Sequence, residues 1–300
     1  MRILLTGATG FLGSHLLRGL LQDGHTVIAW RRASSDISRV ADMANHCVWI
    51  NGDTAAPEEV FRENHVDAVI HCATVYGRSG ETDAVLEGNL RFPVRLLDAA
   101  IRTGCRYFIN TDSFFCKQLP ERLKRGEGLY LPEYTLSKYQ FREWGKLRAA
   151  QGAITFLNLQ LEHVYGPGDR PGKFIPWLEE QFRSGVASVD LTDGTQLRDF
   201  VPVEGVVAAY LQALRDLPTM EGYQSFSVGT GNAVPLRSFI EQLRDQAGAS
   251  TELRFGAIPR KPEEIMFSAA SPNSPYILSK LRYAEGGFSH ENSHSSDSDL

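Results

Sequence analysis

The stretch Ile3-Leu4-Leu5-Thr6-Gly7-Ala8-Thr9-Gly10-Phe11-Leu12-Gly13 decides how this chain folds. An apolar run that turns on glycine straight into a helical pattern gathers unpaired backbone N–H groups and the positive end of a helix dipole at one point. A pyrophosphate can sit there. In the G-x-x-G-x-x-G spacing, Gly7 permits the tight turn, Gly10 lets phosphates approach the backbone, and Gly13 lets the helix pack closely on the sheet. Leu12 to Gln22 carries apolar residues at helical spacing and stops at Asp23-Gly24, after which residues 26–30 read as a second strand. This unit predicts a bound dinucleotide held by Gly7, Thr9, Gly10, Phe11, Leu12 and Gly13.

The second strand runs into Arg31-Arg32-Ala33-Ser34-Ser35, with no carboxylate before Asp36. A free ribose 2′-hydroxyl requires an acidic residue near this point, whereas a 2′-phosphate needs cations and hydroxyl donors. Arg31, Arg32 and Ser35 therefore point to NADP(H) rather than NAD(H). A third strand over 47–50 leads to Asn51-Gly52-Asp53-Thr54, where Asp53 is placed to accept from an adenine amino group, with Thr54 beside it. The fourth strand, over 68–71, runs into Cys72-Ala73-Thr74, small residues that let Ala73 lie beside the cofactor and Thr74 beside the substrate. His71 and Cys72 read as packing residues.

A helix over 83–103 contains Pro93, which removes one backbone hydrogen bond and frees the Asn89 carbonyl to hold a water near the site. A fifth strand over 106–109 follows. Strands alternating with helices predict an α/β fold, a Rossmann-type doubly wound parallel sheet.

Composition sets the outer bounds. With 42% hydrophobic and 22% charged residues in a chain of 300, the protein has the make-up of a globular enzyme with a sizeable core. Its net charge of −5 argues against nucleic acid or a membrane surface as a partner. No run approaches the length of a membrane span, and Met1-Arg2 leads directly into the first strand, so a cytoplasmic location is expected. Cys47, Cys72, Cys105 and Cys116 lack C-x-x-C spacing and read as free thiols; His290 and His294 have no further ligands nearby, so no metal is expected.

The chemistry follows the fifth strand, in Asn110-Thr111-Asp112-Ser113, and resumes at Tyr134-Thr135-Leu136-Ser137-Lys138. Residues four apart share a helical face, so the Tyr134 phenol and the Lys138 ammonium can point into one cleft. A phenol with a pKa near ~10 carries protons poorly at pH 7, and lowering it by roughly 3 units requires about 4 kcal/mol of preferential phenolate stabilisation. Lys138 is expected to supply part of it, and Thr111 to orient the carbonyl or hydroxyl that reacts.

Together with Val164-Tyr165-Gly166-Pro167-Gly168-Asp169, these motifs resemble the extended short-chain dehydrogenase/reductases that act on nucleotide-diphosphate sugars, over roughly residues 1 to 285. The resemblance implies a catalytic set of Thr111, Tyr134 and Lys138. It also implies an NADP-binding Rossmann domain over 1–164 and 199–232, a smaller C-terminal nucleotide-sugar domain over 165–198 and 233–285, and a homodimer. Residues 286–300 lack the apolar content to order themselves. Arg198, in Arg198-Asp199-Phe200-Val201, matches an arginine that binds the substrate diphosphate, and Arg260 a second one. Thr74, Asp112, Ser113, His163 and Phe174, the last opening a lid, complete the expected substrate contacts. Asp193-Gly194 reads as a hairpin before the strand that presents Arg198.

The 4,6-dehydratases of this family carry Thr-Asp-Glu where this chain has Thr111-Asp112-Ser113, so the base for elimination is missing. The 4-epimerases keep NAD throughout, whereas an NADPH-type loop suits a cofactor that arrives reduced and leaves oxidised. Residues 108–114, 134–145 and 258–266 are further similar to the CDP-abequose and CDP-paratose synthases, which reduce the C4 ketone of a CDP-3,6-dideoxyhexulose. One departure stands out: the family's Arg-x-x-Asn is here Gln160-Leu161-Glu162-His163. The expectation is an NADPH-dependent nucleotide-sugar 4-ketoreductase, with epimerase and dehydratase as alternatives and an NADP-sensing regulator as the non-enzymatic one.

Overall fold

In the computed structural model, which describes residues 1–77 and 81–280, the glycine turn joins β1 (Arg2–Thr6) to α1 (Phe11–Gln22). The chain continues through β2 (Thr26–Arg31), β3 (Val48–Asn51), α2 (Pro57–Asn64) and β4 (Ala68–His71). Next come α3 (Thr82–Leu86), a π-helical turn (Glu87–Arg91) and α4 (Phe92–Arg102). The helix expected over 83–103 thus runs without a break from Thr82 to Arg102, with helical backbone at both junctions, and Pro93 stands in its interior; the π turn just before it absorbs the backbone hydrogen bond that Pro93 cannot donate.

β5 (Tyr107–Ser113), α5 (Leu119–Lys124), α6 (Pro132–Ala150) and β6 (Thr155–Leu161) follow. The remainder comprises β7 (His163–Tyr165), α7 (Phe174–Arg183), β8 (Ser188–Leu191), β9 (Leu197–Arg198), β10 (Phe200–Pro202), α8 (Val203–Asp216) and β11 (Tyr223–Val228). It ends in β12 (Val234–Pro235), α9 (Leu236–Gln246), β13 (Glu252–Phe255) and β14 (Phe267–Ser268). The tail over 286–300, with His290 and His294, lies outside the described residues.

Seven parallel strands form one sheet in the order β11-β6-β5-β4-β1-β2-β3. The order reverses between β1 and β4, so a crevice opens at their carboxyl ends. Helices cover both faces, which is why the strands read as continuous apolar runs rather than alternating ones. Ile3, Leu5, Ile109 and Leu159 pack under α1 and α8, whereas Leu4, Phe108 and Phe156 pack under α4 and α6. A Cβ at Gly145 would overlap the Phe156 ring, so this glycine sets how closely α6 lies on the sheet.

A separate apolar cluster joins α7, β8 and α9 through Leu178, Phe182, Val189, Leu191 and Ile240. The expected hairpin at Asp193-Gly194 does not form. β8 pairs with β13, while β9 pairs with β12 and β14. Asp193 instead accepts from the Thr195 N–H at 3.3 Å, closing a local turn around Gly194 at φ +68°. Among the described residues no helix is long and apolar enough to cross a membrane, and all four cysteines are free thiols.

Candidate active site

Gly7 adopts φ +71°, and a Cβ there would lie 2.7 Å from the Ala73 nitrogen at the end of β4. A Cβ at Gly13 would overlap the Gly7 carbonyl oxygen, so the first turn of α1 closes down on the strand end only because both positions are bare. α1 has no side-chain cap and no acidic residue in its first turn. Its unpaired N–H groups, beside Thr9, Gly10, Phe11 and Leu12, make a cradle that fits a dinucleotide pyrophosphate.

At the end of β2, the Arg31 guanidinium lies 5.6 Å from the Trp49 ring centroid, Arg32 is exposed, and the Arg32 N–H donates to Ser35 Oγ at 3.1 Å. Asp53 accepts from the Ala33 N–H at 2.7 Å, so one of its oxygens ties the β2 and β3 loops together. Thr54 Oγ1 donates to the Asn51 carbonyl at 3.4 Å.

α6 starts abruptly at Pro132, after Leu131 in a left-handed conformation, and this start delivers Tyr134 to the carboxyl end of β5. Tyr134 and Lys138, one turn apart, are both buried. Tyr76 stacks on Tyr134 with centroids 4.9 Å apart, and Phe115 meets it edge-on. The side-chain hydroxyl that favours the ionised phenol, against the larger effect of burial, is that of Ser113. Thr111 instead pairs with Tyr210 Oη at 2.6 Å and Cys72 Sγ at 3.1 Å, and only its backbone carbonyl faces the site, accepting from Lys138 Nζ at 2.9 Å.

The Thr111 hydroxyl is therefore taken up by Tyr210 and Cys72, and Ser113 stands one pleat further along. Two residues of strand advance the chain by about 6.6 Å, which carries Ser113 out to the cleft and leaves Thr111 under α8. Asp112 is corrected too. Its side chain alternates to the opposite face, fully covered, and accepts from Asn158 Nδ2 at 2.9 Å rather than meeting a substrate.

Burial pushes Tyr134 well above its ordinary value, with Tyr76 and Cys116 adding to the effect. The lowering expected of the phenol is therefore not supplied by the protein's own residues. Burial also lowers Lys138, and Asp112 is the largest charge opposing it. The β4 loop is held by a residue that sequence reasoning treated only as a carbonyl. Buried Asn89 accepts from the Val75 N–H at 2.7 Å and from Thr74 Oγ1 at 3.2 Å, and donates to the Val75 carbonyl at 2.7 Å and to Ser137 Oγ at 3.1 Å. Thr74 is thus tied down by Asn89. The signal was the π turn that Pro93 forces, which rotates Asn89 toward α6.

On the substrate side, the His163 ring lies 4.1 Å from Phe114, and its buried Nδ1 has no partner. Burial, with the Arg198 and Lys117 charges next, pushes its pKa down to about 3, so it is neutral. Arg198 is buried, and its guanidinium donates to the Leu197 carbonyl and to Glu264, both at 3.4 Å. Lys117 pairs with the covered Glu162, which also bonds Ser268 Oγ and so ties β14 to the end of β6. Arg260 is exposed and pairs with Asp193 at 3.3 Å. Phe174 opens α7 exposed, beside Trp177.

The sequence signature described as the NAD dependent epimerase/dehydratase family matches residues 3–229. CDP-abequose synthase from Salmonella typhimurium is 36% identical over 273 residues, covering 90% of this chain and 89% of its own. The enzyme of the same name from Salmonella muenchen is 32% identical over the same shares. Among solved structures, the UDP-glucuronic acid 4-epimerase of Bacillus cereus, in complex with UDP-glucuronic acid and NAD, superposes with a TM-score of 0.78 at 20% identity, over 95% of this chain and 95% of that one. That last likeness bears on the fold.

Proposed function

The chain belongs to the NAD dependent epimerase/dehydratase family, and from that premise we propose that it reduces the C4 ketone of a CDP-linked deoxyhexulose with NADPH. The observation that carries this reading is the burial of Tyr134 and Lys138 one turn apart on α6, with Lys138 Nζ bonded to the β5 backbone at Thr111 and Ser113 acting on the phenol. A bound nicotinamide would supply the hydride. Gly7, Gly10, Gly13 and the start of α1 would hold its pyrophosphate, and Lys138 its ribose. Tyr134 gives its proton to the ketone oxygen as negative charge develops there, Ser113 orients that oxygen, and the Lys138 ammonium favours the phenolate left behind. A phenol kept protonated by burial is the form that a reduction consumes.

Elimination of water would need an acid and a base beyond the hydroxyl that meets the tyrosine. Counted from Ser113, those positions are Phe114 and Phe115, which carry no transferable proton. Arg31, Arg32 and Ser35 support NADPH over a permanently held NAD. The names of the two Salmonella relatives support CDP. Exposed Leu136, Trp144 and Leu147, along one side of α6, support a homodimer through paired helices. The test is consumption of NADPH in the presence of a CDP-3,6-dideoxy-4-hexulose, with the product resolved by NMR. Interconversion of C4 epimers without net NADPH loss would refute the reductase reading.

A further inference from the structure

Asp112 stands beside Ser113 in β5 but turns into the space between β6 and α6, where its side chain is wholly covered. One oxygen accepts from the Ser113 N–H at 2.8 Å, and the other from Asn158 Nδ2 at 2.9 Å and Gln160 Nε2 at 3.4 Å. The Cys116 thiol, which donates to the Thr135 carbonyl, acts on the carboxylate at closer range than Arg142, whose Nη1 lies 3.8 Å away. Every hydrogen-bond partner of the side chain donates to it, the surroundings of an acceptor-only group. Asn158 is held in turn by Asn110 Nδ2 at 2.8 Å and Ser225 Oγ at 3.1 Å, so this donor to the carboxylate is fixed from β5 and β11, the two strands that flank β6.

Nothing in the proton transfer described above uses this group. We infer that Asp112 is a positioning residue for the reduction, pinning Ser113 through its main chain and supplying the buried counter-charge that keeps Lys138 an ammonium. The inference deepens the reductase reading of the same site and rests on it. Lys138 faces Thr111, Asp112 and Cys116 from β5 and the turn after it, and His71 and Cys72 from the end of β4. Burial lowers Lys138, and Asp112 leads the opposing charges, ahead of Cys72 and Cys116. His71 is kept neutral by burial and by Lys138 itself. Asp112 also acts on Arg142 and Tyr134 of α6, Tyr210 of α8 and Tyr223 of β11.

The sign follows from the charges. Without the Asp112 carboxylate, Lys138 loses its proton at lower pH; without Arg142, the carboxylate acts on Lys138 less opposed, and the proton is held to higher pH. Mere loosening of the network would move both variants the same way. The experiment compares kcat and kcat/KM against pH for wild type, Asp112→Asn and Arg142→Gln, alongside NADPH Kd. The expected result is an alkaline limb displaced by about one unit to lower pH in Asp112→Asn and displaced to higher pH in Arg142→Gln. At neutral pH, kcat in Asp112→Asn should fall about tenfold or more, with NADPH Kd changed less than about threefold.

An unmoved limb in Asp112→Asn, displacements of equal sign, or a loss of NADPH affinity matching the loss of kcat would overturn the inference. If Asp112→Asn does not fold, Arg142→Gln decides, and an acid displacement there refutes it. NMR titration of Lys138 in cofactor-free protein carrying carbon-labelled lysine, assigned with Lys138→Arg, repeats the comparison without turnover. An inactive wild type would therefore refute the proposed reaction while the lysine titration still judges Asp112.

Discussion

Replacing Ser113 by alanine and Thr111 by valine separates two hydroxyls that lie two residues apart on one strand. Ser113 is the hydroxyl that acts on the Tyr134 phenol, so in the proposed reduction its loss removes one donor aimed at the oxygen that gains charge. Losing a single preorganised donor of this kind lowers kcat by roughly 10²–10³, or about 2.7–4 kcal/mol. Thr111 Oγ1 is 2.6 Å from the phenol of Tyr210, which is completely buried. Valine keeps the volume and leaves that phenol short of a partner, a cost of about 1–3 kcal/mol in stability. At roughly 2–4 °C per kcal/mol for a domain of this size class, Thr111→Val should melt several degrees lower. Its kcat should stay within about threefold of wild type, because the Thr111 carbonyl that holds Lys138 is untouched. The assay is steady-state NADPH oxidation, paired with thermal melts. A large loss of kcat in Thr111→Val with little loss in Ser113→Ala would refute the assignment of roles along β5.

Gly13→Ala inverts the usual helix rule: alanine normally stabilises a helix interior by about 0.5–1 kcal/mol, but here its methyl would overlap the Gly7 carbonyl oxygen. NADPH fluorescence titration should show binding lost and the melt lowered, and unchanged affinity would refute the packing argument. His163 titrates near 3 when folded against 6.5 when free, so the unfolded chain binds the extra proton and stability falls as pH drops below 6.5. By pH 5 this amounts to roughly 2 kcal/mol at ~1.36 kcal/mol per unit. Urea denaturation of His163→Asn should therefore show a smaller loss between pH 7 and pH 5 than wild type, and equal losses would count against it. Arg32→Ala should raise KM for NADPH by roughly 10–100-fold, the worth of a charge-assisted hydrogen bond to phosphate, and leave KM for NADH nearly unchanged. Equal changes for both cofactors would dismiss the 2′-phosphate reading.

The sheet was legible because its signals are local. Gly7, Gly10 and Gly13 must be bare for reasons contained within one turn and one helix, and apolar runs such as Ile3-Leu4-Leu5 report burial on both faces without reference to distant residues. The pairing of Tyr134 with Lys138 was readable for the same reason, since a helix repeats its face every turn. Asp193-Gly194 misled because turn chemistry shows that the chain bends, not which strands then pair. The contact between one Asp53 oxygen and Ala33, twenty residues away in sequence, is likewise not announced by any local spacing.

What the sequence determined alone is the dinucleotide cradle, the parallel doubly wound framework and the tyrosine and lysine on one helical face. All of these rest on spacings of a few residues. Tertiary structure decided where the Thr111 hydroxyl is bonded and where the Asp112 carboxylate is buried. Alternation along β5 places Thr111 and Ser113 on one face and Asp112 on the other, but it cannot say how far the strand runs beyond its neighbours. That is set by where α6 starts and by α8 covering Thr111 with Tyr210, contacts made across 99 residues of chain. The glycine turn that decides the fold therefore locates the cleft, and the packing of two distant helices selects the residues that work in it.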